Sequence, residues 1–446
     1  MADLIENPVI NSPFEEPQRH FRFDDNGITD EIGPGRRRRV TDQGMGSIRS
    51  LLADRGAMNR LTKVLYFDTA ATTPVASEVL AQMVESLSSE DGYANPSSLA
   101  HLPGQAAAAI VEAARAEIAA ELGCETDEVI FTSGATEANN LALRGVALAH
   151  AAHGRHLVTS ALEHKAVLEC CGALQREGYE VTYLTPNRQG WIEPEAVECA
   201  LRPDTLLLSL MHTNNETGVM QPIAEVAAMA AEAGVLFHVD AAQAAGKFAI
   251  DLQQIPIDLL ALSAHKFHGP KGVGCLVVRN RRHLRLQPLM YGGGQEFGLR
   301  PGTLATHQIV GLSTALSLAG GRREADLAHV TELKRQFLGQ LGAHLSLQVH
   351  GDPSRCSPYI VNFAIPGVSS DALINQLAAD VAIASGSACS SGTVEPSTVL
   401  RAMGIEGEPL YGAVRLSFNR DHTTAEVTLA VERIVAAVRR MQELDE

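Results

Sequence analysis

A single tryptophan in 446 residues, an aromatic content of 4% and no CxxC pair among seven cysteines set the first exclusions. An odd number of cysteines without paired spacing argues against a disulfide framework and against a thiolate zinc site, so each cysteine is read as a thiol. No run of about 18 or more apolar residues is present, which leaves no candidate for a membrane-spanning helix. The opening residues, MADLIENPVINSPFEEP, lack the basic-then-apolar order of a secretory signal. The cytoplasm is therefore the expected compartment and no membrane partner is expected. Positive charge is also scarce: the formal net charge of −16 repels nucleic acid and anionic lipid. The one concentrated basic run, Arg36 to Arg39, reads as a solvated linker before it reads as a DNA-binding arm, and direct nucleic-acid binding is not expected.

What is present is ordinary globular material, 45% hydrophobic and 20% charged, with 38 Gly and 20 Pro. The length allows two or three domains. Residues 1–62 carry scattered polar residues, prolines at 13, 17 and 34 and no sustained apolar period, so little order is expected there. From Tyr66 onward, apolar runs alternate with alanine-rich helical stretches. VIFTS at 129–133, HLVTS at 156–160, TLLLSLMH at 205–212, VLFHVD at 235–240 and LLALSA at 259–264 read as strands. Helices are expected at 104–122, 135–152, 165–177 and 222–233, each ending near Gly or in polar residues. This rhythm predicts an α/β fold, a mostly parallel sheet covered by helices, spanning residues 63–314. A long helical stretch at 326–345, a segment at 359–365 and amphipathic helices beyond suggest a smaller α/β domain over residues 315–446.

Ligands of such sheets gather past the carboxyl ends of the strands. In SAHKFHGPKG, Lys266 directly follows a buried strand, and a desolvated lysine loses proton affinity and becomes nucleophilic; a solvated strand-end lysine is the plain alternative. Asp240 closes the strand of HVDAAQ, where an unpaired carboxylate is costly, so it is expected either to cap a helix or to meet a cation such as a pyridinium nitrogen; Gln243 three residues on favours the cofactor. Ser133-Gly134-Ala135-Thr136 stands between a strand and a helix, a place that suits either a phosphate or a simple cap. His164 in SALEHKAV, after a strand, suits a stacked imidazole or a structural one, and Asn214-Asn215-Glu-Thr-Gly suits a tight turn or an amide that orients a bound amino acid.

Cys389 lies in IASGSACSSGTVEP, among small residues without apolar bulk, unlike Cys275 in the strand GCLVV, and it is the candidate nucleophilic thiol. Cys124, Cys170, Cys171 and Cys199 fall in or beside helix patterns and read as structural, while Cys356 in a polar loop stays open as a second reactive thiol.

Taken in order, DTAATTPV, GYANPSS, FTSGATEANNLAL, EHKAVL, HTNNETG, HVDAAQ, SAHKFHGPKGVG, GGGQEFGLRPGT, SGSACSSG and EPSTVLRAMG resemble the cysteine desulfurases of the NifS/IscS kind, fold-type I pyridoxal-phosphate enzymes, from about Tyr66 to the last helix. The resemblance implies a transferase that converts L-cysteine to L-alanine and leaves the sulfur as a persulfide on Cys389. It implies that Lys266 binds pyridoxal 5'-phosphate covalently, that Asp240 pairs with the ring nitrogen, that Gln243 serves the phenolic oxygen and that His164 stacks on the ring and moves protons. Ala135, Thr136, Ser263 and His265 match the phosphate site, and Thr303 the residue that reaches the phosphate of the other subunit of a homodimer. Asn215 and Arg415 match the positions that hold the substrate carboxylate. No metal is implied.

The same cofactor residues would serve a selenocysteine lyase or another amino-acid lyase or transferase, and a scaffold that merely carries the cofactor for a sulfur-acceptor complex is the reading from another class. The acceptor is expected to be an iron–sulfur scaffold, a tRNA-thiolation protein or a DNA-modification complex. The family pattern has no counterpart to the amino-terminal extension, with Met58 a natural start for the desulfurase proper. The chain closes on MQELDE without the tail by which some members dock an iron–sulfur scaffold. NSPFEEPQRHFRFDDNGITDEI resembles the start of restriction-type helicase subunits, which implies sulfur delivery to DNA phosphorothioation.

Overall fold

The structure is a computed structural model that describes residues 64–88, 92–385 and 396–445, together with three short strands nearer the amino terminus. The chain divides into two units, Met1–Lys63 and Val64–Glu446. In the first, where little order is expected from the sequence, β1 (Phe21–Asp24), β2 (Gly27–Glu31) and β3 (Arg37–Arg39) form an antiparallel sheet in that order. Arg36 and Met58 lie outside the described residues.

The second unit opens with β4 (Leu65–Tyr66) and is built on a seven-stranded sheet. Its strands are β5 (Val129–Thr132), β6 (His156–Ser160), β7 (Glu180–Leu184), β8 (Thr205–Met211), β9 (Leu236–Asp240), β10 (Leu259–Ser263) and β11 (Gly274–Val278), in the spatial order β5-β11-β10-β9-β8-β6-β7. Only β11 runs against the rest, so the mostly parallel sheet expected from the sequence is present. Side chains of a strand alternate between faces, and a sheet covered on both sides must be apolar on both. In β10, Leu260 and Leu262 enter one buried cluster while Leu259 and Ala261 enter another on the opposite face.

A second sheet holds β12 (Gln348–His350), β13 (Ile360–Ala364), β15 (Ala384–Ser385) and β16 (Val414–Ser417) in the order β12-β13-β16-β15, and β14 (Val381–Ala382) pairs in parallel with β4. Phe67, just past β4, sits in the cluster of this smaller sheet, stacked on His422. The chain's early residues thus pack with its late ones.

The helix Thr306–Gly342 ties the two parts together: Ile309, Leu312 and Ala315 lie in the core of the large sheet, and Val330, Leu333 and Phe337 in that of the small one. Its start lies well before the helical stretch expected at 326. The early turns contain Gly311, which breaks an apolar pattern but lets Met83 and Pro270 approach to where a Cβ would stand 2.9 Å from either.

Candidate active site

The carboxyl ends of β5, β6, β8, β9 and β10 open on one cavity of about 510 Å³, and the small sheet closes its far side with Arg415. Residues that the sequence spreads from Ala70 to Arg415 line it together.

At the end of β5, Gly134 takes φ 146° and ψ −178°, a conformation open to glycine, and begins the helix Ala135–Ala149 without a side-chain cap. A Cβ on Gly134 would meet the Ser263 hydroxyl at 3.3 Å. The first N–H groups of this helix, those of Ala135 and Thr136, therefore face the cavity beside Ser263 and the His265 ring, an arrangement that suits a phosphate dianion. Ser133 is exposed, and its N–H donates to Glu137 at 2.8 Å, which fixes the turn. His265 is held by Thr72, with Nδ1 and Oγ1 3.1 Å apart, and burial together with Lys266 drops its pKa to about 4, so the ring is neutral.

At the end of β9, the buried carboxylate of Asp240 accepts from Asn139 Nδ2 at 2.7 Å and from the Ala242 N–H at 2.9 Å. Both partners are neutral, so the negative charge remains to be matched by a cation in the cavity, as a protonated pyridine ring would do. Gln243 donates from Nε2 to the Ala70 carbonyl at 2.8 Å.

Lys266 follows β10 in a short 3-10 turn and donates to the carbonyls of Ala70 and Ala71 at 2.7 and 2.9 Å. Burial, then Arg415, lowers its pKa to about 8, against the pull of Asp240 and Asp68. About a tenth of the amine is then free base at pH 7, far more than in a solvated lysine, and a nucleophilic lysine requires that form.

His164 caps the helix Lys165–Arg176, accepting the Ala166 N–H at Nδ1, 3.1 Å away. A neutral ring so held carries its proton on Nε2. Burial lowers its pKa, so the neutral form is favoured. The neighbouring Glu163 is fully enclosed: one carboxyl oxygen accepts from Ser160 and from the Met211 N–H at 2.8 Å each, and the other has no partner. Burial pushes this acid up to about 8.

In HTNNETG, Asn214 builds the turn, its side-chain oxygen accepting the N–H groups of Glu216 and Thr217 at 2.9 Å each, while Asn215 turns to the cavity. Arg415, 5% exposed, donates to the Asn215 carbonyl at 2.9 Å and pairs with Asp68 at 2.5 Å, and its Nε has no partner. A guanidinium with a spare N–H at the end of a cavity can take up a carboxylate.

Of the residues singled out from the sequence, Ala135, Thr136, His164, Asn215, Asp240, Gln243, Ser263, His265, Lys266 and Arg415 line this one cavity. Thr303 does not: it is exposed on the segment leading into the helix Thr306–Gly342. Cys389 lies outside the described residues; the chain resumes at Pro396, which lines the cavity, and the Ser397 hydroxyl donates to Glu216 at 2.5 Å. Cys356, open as a second reactive thiol, has its pKa raised to about 11 by burial and stays protonated. Sequence reasoning passed over Asp68, Asn139, Glu163 and Lys247; the first three sit inside quoted motifs, where their position beside a recognised residue was the available signal. Among the described residues no cluster of His, Cys, Asp and Glu could hold a metal ion.

Residues 65–429 match the family described as Aminotransferase class-V. The chain is 44% identical over 380 residues to the cysteine desulfurase IscS of Pseudomonas aeruginosa strain UCBPP-PA14, covering 85% of this chain and 94% of that one. Among solved structures it is similar to DndA from Streptomyces lividans, with 42% identity, a TM-score of 0.68 and coverage of 78% of this chain and 98% of the other. It is likewise similar to SspA in complex with cysteine, with 37% identity, a TM-score of 0.72 and coverage of 81% and 100%.

Proposed function

The chain belongs to the class-V aminotransferases, as a cysteine desulfurase that depends on pyridoxal phosphate, and from that premise we propose how its own residues divide the work. The observation that carries the assignment is the convergence of Lys266, Asp240, His164 and Arg415 on a single cavity.

Bound pyridoxal phosphate supplies an electron sink for the pair released as the bonds of the amino acid are broken. The Ala135 and Thr136 N–H groups, Ser263 and His265 are the groups placed to hold its phosphate, and Asp240 the one to match its ring nitrogen. Lys266, with its lowered pKa, is the covalent anchor and then a base at the α-carbon proton. His164 covers the cavity from the β6 side and moves a proton at Nε2. Arg415 and Asn215 fix the substrate carboxylate and so hold the cysteine in one orientation. Cys389, as thiolate, attacks that sulfur; the C–S bonding pair passes to the substrate carbon, and L-alanine leaves after protonation. The sulfur stays on Cys389 as a persulfide.

Purified protein incubated with L-cysteine and a reductant is expected to release sulfide and alanine, and Cys389→Ser to lose sulfide release while keeping its visible absorption. Sulfide production by Cys389→Ser at the wild-type rate would remove Cys389 from the mechanism.

The homodimer is supported by a row of exposed apolar residues, Leu80, Val84 and Leu87, on the helix Ser77–Ser88, whose other side packs Val79 into the core. Exposed Leu99 and Leu102 lie on the next segment, and Thr303 is exposed and does not line its own cavity. A monomer in sedimentation equilibrium at micromolar concentration would refute it. Among the described residues no helix is long and apolar enough to cross a membrane. For the acceptor, the resemblance of the amino-terminal extension to restriction-type helicase subunits supports delivery of sulfur to a DNA-phosphorothioating complex. Equal phosphorothioate content in cells carrying the full chain and cells carrying a chain started at Met58 would argue that the extension has no part in it.

A further inference from the structure

Behind the cavity wall lies a lysine that the chemistry above does not use. Lys247 is 7% exposed, and no carboxylate stands within ion-pair distance of it among the described residues. Its neighbours are a hydrogen-bond acceptor, Gln243 Oε1 at 2.9 Å, and the face of Tyr359, whose centroid is 5.4 Å from Nζ. Burial, then the cations Lys266 and Arg415, brings its pKa down to about 7. A buried ammonium without a counter-ion is costly, and a methionine of similar length would fill the same space without that cost. What the lysine supplies, and a hydrocarbon cannot, is a hydrogen-bond donor aimed at Gln243.

That donor settles which way the glutamine amide faces. The Ala70 carbonyl can only accept, so Nε2 must be the end that meets it, at 2.8 Å, and Lys247 holds Oε1 from the other side. A flipped amide would set oxygen against oxygen at Ala70 and give up the bond that its oxygen accepts from Lys247. With one amide hydrogen on Ala70, the second stays available to the cavity that Gln243 lines. The same Ala70 carbonyl accepts from Lys266 at 2.7 Å, so Lys247, Gln243, Ala70 and Lys266 form one chain of hydrogen bonds. Gln243 and Lys247 stand four residues apart in a helical turn after β9, with Lys247 N–H bonded to Ala244, which puts both side chains on one face.

We propose that Lys247 is a positioning residue for the cofactor, holding the Gln243 amide with its NH2 group toward the ring. This rests on the reading that Gln243 serves the phenolic oxygen of pyridoxal phosphate.

The test uses Lys247→Met, Gln243→Ala and the double variant. Two quantities are read: the dissociation constant of pyridoxal phosphate from the reconstituted apoprotein, and the pH midpoint of the visible absorption of the loaded enzyme. Thermal unfolding of each apoprotein serves as a control for packing. Lys247→Met is expected to weaken cofactor binding about tenfold, the scale of a lost charged hydrogen bond. It should also move the absorption midpoint in the same direction as Gln243→Ala, with apoprotein unfolding no lower than wild type. In the Gln243→Ala background it is expected to add nothing, since its effect runs through that amide. Wild-type affinity and midpoint in Lys247→Met, alongside shifts in Gln243→Ala, would overturn the proposal and leave the role of Gln243 standing. No shift in Gln243→Ala would remove both. Should Lys247→Met fail to fold, Lys247→Leu is read the same way, and failure of both apolar variants would make the lysine a structural requirement and overturn the proposal.

Discussion

The two walls of the cavity hold their charges differently. On the strand-end wall, Asp240 is bound by the Asn139 amide and a backbone N–H, and Lys266 by two backbone carbonyls, so both charges have neutral hydrogen-bond partners. On the opposite wall, the Arg415 guanidinium already pairs with Asp68 and keeps only its Nε without a partner. Charges left with neutral partners are open to a permanent guest that brings its own complement, whereas a half-neutralised guanidinium binds an anion that must come and go. The first wall is thus suited to the cofactor and the second to the substrate.

The largest effect expected from this division follows Lys266→Ala. Loss of the covalent anchor and of the base should lower sulfide formation by about 10³-fold, with pyridoxal phosphate still bound but removable by dialysis. Retention of even a tenth of the activity would break the assignment of that wall to the chemistry.

Arg415→Ala should act on the other wall and read out differently. Truncating one partner of a buried charge pair costs on the order of 2–5 kcal/mol, so KM for cysteine should rise about 10²-fold, while cofactor affinity changes little. Lys is not an equivalent replacement, because a point charge cannot serve Asp68, the Asn215 carbonyl and a carboxylate in one plane. If Arg415→Ala instead released the cofactor, the two walls would not be separable.

Much of the strand-end wall was legible in the sequence because a parallel sheet places its chemistry directly after buried runs. β6 coincides with HLVTS, and β5, β8, β9 and β10 end within a residue of the apolar stretches that announced them. The edge strand β7, EVTYL, went unnoticed because its half-exposed residues make no continuous apolar run. The partners of the recognised residues were harder to see. Asp68 meets Arg415 across 347 residues and Asn139 meets Asp240 across 101, separations at which no spacing pattern exists. Lys247 offered no clue at all, since a lysine in a short turn is ordinarily solvated and only the tertiary fold buries it. In the amino-terminal segment, β1 and β2 are short strands of mixed polar and apolar residues, which a search for apolar periodicity does not detect.

The smallest expected effect at neutral pH belongs to Glu163→Gln, and it probes why the strand-end wall tolerates a second acid near Asp240. Burial lifts Glu163 to about 8, so the native protein keeps its proton at pH 7 while the unfolded chain, with an ordinary carboxyl, has lost it. Between the unfolded and folded pKa values the native state binds the extra proton. The contribution of this group to stability is therefore fully present below the unfolded value and is lost as pH rises through about 8. Glutamine keeps the shape and the acceptor for Ser160 and Met211 but cannot ionise. Desulfurase activity of Glu163→Gln should then stay within about twofold of wild type at pH 7, as expected when a neutral group replaces a neutral group. Its stability relative to wild type should climb by a few kcal/mol from pH 5 to pH 8, which urea unfolding at a series of pH values would measure. A constant difference across that range would mean that Glu163 is ionised in the folded protein. Asp240 would then share the wall with a second anion, and the strand-end wall would no longer hold a single uncompensated carboxylate for a cationic guest.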